Sequence, residues 1–274
     1  AFSAFEPDVR AIPFDEDGMR MDLLEEELAR IGKGNPRLKF CYTIPNFQNP
    51  GGVTMTAERR RRLLELAHEY NFMVVEDDPY GELRFAGAPV PSIKSMDEGN
   101  SVIYAASFSK ILCPGMRLAY CVCDKKLMAA FVVAKQCSDV HTNVWAQRVC
   151  AELLRTMDMD AHIRAVSAMY GRKAALMAQL LREKCPQIAF EAPQGGMFLW
   201  AKLPQAVRVP EFVQACLERR LAVIPGSAFY VDGEAPCQGV RLNFSTPSED
   251  AIRRGVDIMA QVLKKLIGQS VCSV

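Results

Sequence analysis

Short apolar runs rich in β-branched residues alternate with helical stripes along this chain, and that alternation restricts it to the layered α/β class. Leu23, Leu24, Leu28 and Ile31 fall on one helical face, so 22–31 is expected to be a helix capped by Asp22 and stopped by Gly32 and Gly34. Lys39 to Ile44 reads as a strand, followed by a loop rich in Pro, Gly and Asn at 45–52. Thr56 is expected to cap a second helix to about Tyr70, with Leu63, Leu64, Leu66 and Ala67 turned inward. Arg59–Arg62 lie on that helix, and Glu58 and Glu65 beside them favour a solvated face over a phosphate or nucleic-acid patch. Further strands are expected at 72–76, 101–106 and 118–123. Apolar strands joined through helices predict a mostly parallel sheet, where ligand residues gather past the carboxyl ends of strands. Asn49, Asp77 and Lys110 all stand at such ends.

From Lys125 the pattern turns helical, with stripes over 125–135, 144–155 and 160–184. The last is long enough to bridge two domains, and Pro186 ends it. A smaller α/β unit follows: strand 196–201, helix 210–219, strands 221–224 and 240–245, helix 248–267. We therefore expect residues 1–157 in a large domain and 158–274 in a smaller one that opens with the bridging helix.

The 33 basic and 32 acidic residues nearly cancel, which removes the usual reason to expect nucleic acid or an anionic membrane as partner. No apolar run is long enough to span a bilayer, and the first residues lack the basic stretch of a secretory signal. The ten cysteines are scattered without CxxC spacing. They are expected to be small buried hydrophobes in a reducing cytoplasm, not a disulfide framework or a zinc site. His68, His141 and His162 lie far apart, so no metal site is expected.

Chemistry concentrates at Ser107-Phe108-Ser109-Lys110, with Arg117 seven residues on. An amine can condense with an aldehyde, while hydroxyls and a guanidinium can hold a phosphate. Pyridoxal 5′-phosphate carries both groups. An enzyme using it also needs an acid beside the pyridine nitrogen and, for amino acids, a guanidinium for the α-carboxylate. Asp77 or its neighbour Asp78 could supply the first. Arg241, on a Val/Leu-rich strand, needs an anionic partner and could supply the second.

The segments PNFQNPGG (45–52), DDPY (77–80), SFSK (107–110) with PGMR (114–117), QGGMFLW (194–200), PGSAF (225–229) and VRLNFS (240–245) resemble, in this order, the fold type I, class I/II aminotransferases. Within them the likeness is to the 2-aminoadipate, kynurenine and branched-chain or aromatic subgroup, over about residues 10–265. The resemblance implies a three-layer, mostly parallel large domain and a smaller α/β domain. It implies amino transfer between an amino acid and a 2-oxo acid, 2-oxoglutarate among them, through a pyridoxal phosphate aldimine, in a cytoplasmic homodimer. Lys110 would carry the aldimine and shuttle the proton. Asp77, three residues before Tyr80 as in the family, would pair with the ring nitrogen. Tyr80 and Asn49 would bond the ring hydroxyl, Ser107, Ser109 and Arg117 the phosphate, and Arg241 with Asn49 the substrate carboxylate. The family's large domain has a stretch before the counterpart of Glu6–Phe14, so the chain is expected to be a piece lacking that N-terminal part. The same lysine also serves carbon–sulfur lyases and the ligand-sensing domains of some winged-helix regulators, and both stay open as alternatives.

Overall fold

A computed structural model describes residues 5–233 and 235–271. A two-residue hairpin, β1 (Phe14–Asp15) and β2 (Gly18–Met19), leads into helix α1 (Met21–Ile31). Asp22 is not its cap: the cap position falls two residues earlier, at Arg20, whose side chain makes no capping bond. Asp22 sits in the first turn instead, where a carboxylate suits the helix dipole and accepts from Arg20 Nε at 2.8 Å. Helix α2 (Ala57–Tyr70) is capped as expected, Thr56 Oγ1 accepting the Arg59 N–H at 3.4 Å, and closes on left-handed Asn71.

Strands β3 (Phe40–Thr43), β4 (Met73–Asp77), β5 (Val102–Ser107) and β6 (Ala119–Val122) form one sheet in that order. The first two pairings are parallel and the last is antiparallel. Leu24, Leu28, Leu63 and Leu66 from the helices pack with Val74 and Val102 in one core. The period of two then sorts the rest. Thr43 stands opposite Glu76 on the face that carries Val74, whereas Tyr42, Asp77 and Ser107 share the other face, since Asp77 pairs with Ala105.

The Arg59–Arg62 run departs from the expected solvated face. Arg59 is clasped by Asp15, Arg62 divides between Glu25 and Glu65, and Arg60 is fully buried. Side chains on a helix lean toward its N-terminus. Here that end abuts a loop full of carbonyls, which draws Arg60 inward.

Helices α3 (Lys125–Asp139), α4 (Val144–Thr156) and α5 (Met159–Lys184) follow. A second, antiparallel sheet is ordered β7 (Phe198–Lys202), β9 (Gly239–Asn243), β8 (Ile224–Pro225). Helices α6 (Val209–Leu217) and α7 (Glu249–Val271) cover it. Leu181, Leu199, Phe212, Phe244 and Leu263 centre the larger core. The strand expected at 221–224 shrinks to Ile224–Pro225 because Leu221 is spent closing α6: its N–H reaches the Cys216 carbonyl at 3.0 Å, after left-handed Arg220. Cys150, Cys185 and Cys216 are buried, but Cys113 and Cys137 are exposed, so the cysteines are not uniformly core residues. Among the described residues no helix is long and apolar enough to cross a membrane.

Candidate active site

Strand β5 ends at Ser107, and a hydroxyl turn carries the chain away from it. Ser107 Oγ accepts the Ser109 N–H at 3.1 Å and lies 3.4 Å from the Leu118 carbonyl at the start of the returning strand. Lys110 follows, partly buried, with no hydrogen-bond or ion-pair partner among the described residues. The next carbonyl, of Ile111, meets His162 Nε2 at 2.8 Å, which ties the lysine loop to α5. Arg117 adopts a left-handed φ of 54° at the end of the 114–116 turn. Its guanidinium is exposed and donates to the Pro114 carbonyl at 3.1 Å. Among the described residues no bond joins it to Ser107 or Ser109, so the phosphate trio is neighbouring rather than interlocked.

The pleat separates the two rival acids. Asp77 closes β4 on the face shared with Ser107, and Tyr42 Oη donates to its Oδ2 at 2.5 Å. Asp78 turns to the other side, where Oδ1 accepts the Gly81 N–H at 3.0 Å and Oδ2 the Tyr104 hydroxyl at 3.3 Å. Burial pushes the Asp77 carboxyl above the ordinary carboxylate range, partly offset by the Tyr42 bond, and the Asp78 charge adds to the rise. Tyr80 is buried, edge-on to Phe198 with ring centres 5.8 Å apart. Burial raises its phenol, while the Arg241 charge pulls the other way.

Arg241 lies mid-strand in β9. Its Nη1 donates to Asn49 Oδ1 at 2.7 Å. The guanidinium carbon sits 4.2 Å from the Phe198 ring centre and 4.9 Å from that of Phe229. Trp200, opposite Arg241 in the ladder, backs Phe229 at 6.4 Å. Burial lowers the Arg241 pKa, and its Nε is buried with no hydrogen-bond partner among the described residues. Nor does any carboxylate of those residues pair with it. A desolvated guanidinium with an unused donor is built to receive an anion.

Of the residues expected from sequence, the structure brings Asn49 and Arg241 into contact and sets Asp77 and Ser107 on one face of the sheet, while neither Ser107 nor Ser109 bonds Arg117 among the described residues. Tyr42, Phe198 and Phe229 were not foreseen from sequence alone. The two phenylalanines lie inside the recognised GGMFLW and PGSAF segments, which was the available signal. Tyr42 carried none beyond its alternation with Phe40 on a strand.

The chain matches the family described as aminotransferase class I and II over residues 6–259. It is 40% identical to aromatic-amino-acid aminotransferase 1 of Thermococcus litoralis over 97% of this chain, and spans 64% of that relative's length. It is 35% identical to the 2-aminoadipate transaminase of Thermus thermophilus over 97% of this chain and 66% of that protein. The crystal structure of the kynurenine aminotransferase of Pyrococcus horikoshii, in complex with PMP, superimposes with a TM-score of 0.91 at 39% identity. That match covers 96% of this chain and 65% of the other. The chain therefore spans just under two thirds of these relatives.

Proposed function

The chain belongs to the aminotransferase class I and II family, and we propose that it moves amino groups between an amino acid and a 2-oxo acid with pyridoxal 5′-phosphate as cofactor. The observation that carries the substrate half is Arg241: partly buried, steadied by Asn49, flanked by two aromatic rings, and with a buried Nε that has no partner among the described residues. The residues present suit the cofactor. An amine at Lys110 with no partner among the described residues, a hydroxyl turn at Ser107 and Ser109, and a carboxylate at Asp77 lie at neighbouring strand ends.

Pyridoxal phosphate, when bound, supplies an aldehyde for amino groups and a ring that accepts electrons. Lys110 Nζ takes the α-proton of the substrate and returns it. Asp77 would hold a proton at the ring nitrogen, its carboxylate oriented by the Tyr42 bond. Tyr80 and Asn49 would hold the ring hydroxyl, and Ser107, Ser109 and Arg117 the phosphate. Arg241 receives the substrate carboxylate, and its aromatic flanks exclude water from that contact.

The same proposal assigns residues 1–157 to the larger cofactor-binding domain and 158–274 to the smaller one. It takes 2-oxoglutarate as amino acceptor and a homodimer as the working form. Exposed apolar side chains such as Val133 and Trp145, the latter 73% exposed, support a further covering surface. The free thiols at Cys113 and Cys137 suit a cytoplasmic setting. The test is single-turnover release of a 2-oxo acid from an amino acid by the chain loaded with pyridoxal phosphate. Lys110→Ala should release none. Cofactor binding without release by the unmodified chain would favour a ligand sensor instead.

A further inference from the structure

The arginine run of α2 takes no part in the chemistry above, yet one of its members is fully buried. Arg60 is 0% exposed, and among the described residues its guanidinium hydrogen-bonds only neutral acceptors. Nε donates to the Met55 carbonyl at 3.0 Å. Nη1 donates to the carbonyls of Pro91 at 3.0 Å and Val90 at 3.4 Å. Nη2 donates to the Pro45 carbonyl at 3.0 Å and to Asn46 Oδ1 at 2.7 Å. A guanidinium has about five N–H donors, so all are used, which is the condition for tolerating a buried charge.

These acceptors bracket the loop that carries Asn49. Pro45 and Asn46 begin it, and Met55 ends it with its own N–H on the Pro45 carbonyl at 2.8 Å. Glu76 acts from the opposite side. It is 0% exposed, and its two oxygens accept the N–H groups of Ile93 at 2.8 Å and Lys94 at 2.7 Å. The 90–94 segment is thereby held between Arg60 and Glu76, and Glu76 is the chain neighbour of Asp77.

We propose that Arg60 is a positioning residue for substrate carboxylate binding: by fixing Pro45, Asn46 and Met55 it sets where Asn49 holds the Arg241 guanidinium. The inference rests on Arg241 being the carboxylate arm. No other arginine of the run can replace it: Arg59 and Arg62 are committed to Asp15, Glu25 and Glu65, and Arg61 is exposed.

The test uses the full chain with Trp145→Phe, which leaves Trp200 as the sole tryptophan beside Phe229. Trp200 fluorescence then reports titration with 2-oxoglutarate, and the thermal midpoint is read on each variant. Asn46→Ala and Arg60→Lys should each weaken binding about tenfold, the scale of one charge-assisted hydrogen bond. Asn46→Asp keeps the acceptor and should bind within about twofold of the unmodified chain. If Asn46→Ala and Arg60→Lys lower the midpoint yet bind unchanged, while Arg241→Met abolishes binding, Arg60 is merely structural and the proposal fails alone. If Arg241→Met binds as well as the unmodified chain, or that chain does not bind, the carboxylate reading fails and takes the proposal with it. Should Arg60→Lys not fold, the Asn46 pair decides.

Discussion

Arg241 on β9 and Asn49 in the β3–α2 loop are joined by a 2.7 Å hydrogen bond across 192 residues of sequence. That bond ties the loop after β3 to the second sheet, at a guanidinium that pairs with no carboxylate of the described residues. Arg241→Lys should keep the charge but lose the fork, and an ammonium cannot reproduce the geometry. The loss should be about 1.5–3 kcal/mol, roughly tenfold to a hundredfold in affinity for a 2-oxo acid. Calorimetric titration measures it, and unchanged affinity would separate Arg241 from carboxylate binding.

The aromatic backing of Arg241 depends on a missing side chain. A Cβ at Gly239 would lie 1.9 Å from Trp200 Cζ2, too close for any rotamer adjustment of the indole alone. Gly239→Ala should destabilise the fold by about 1–3 kcal/mol through overpacking. Urea denaturation checks the number, and near-ultraviolet dichroism checks that Trp200 moves. Wild-type stability with an unchanged aromatic spectrum would contradict the packing described.

Asp77 is held above its ordinary pKa chiefly by burial. A carboxyl raised in the folded state binds its proton more tightly there than in the unfolded chain, so stability falls as pH rises through that window. Asp77→Asn removes the charge but keeps an acceptor for Tyr42. Its thermal midpoint should match the wild type at pH values below the ordinary carboxylate range and exceed it near neutrality. Equal midpoints across the whole pH range, or a wild-type advantage at neutrality, would count against the burial account.

The order of strands and helices was legible because periodicity reports burial, and burial follows layers. α2 with its Thr56 cap, and Asp77 at the end of β4, could be read from local pattern alone. What could not be read depends on contacts between distant segments. Nothing local distinguishes Arg60 from Arg61, since the carbonyls that draw it in belong to residues 45, 55, 90 and 91. Tyr42 meets Asp77 across 35 residues. The hairpin at Phe14 and Met19 has two-residue strands, too short to show alternation. Ile224–Pro225 lost its expected neighbours because a helix terminus claimed Leu221 first.

The account turns on Lys110 as the amine that meets the cofactor. Incubation of the chain with pyridoxal phosphate, borohydride reduction and peptide mass mapping would locate the attachment directly. The stable label should fall on Lys110 and be absent from Lys110→Ala. A label spread over surface lysines, or one of equal extent in Lys110→Ala, would contradict the assignment.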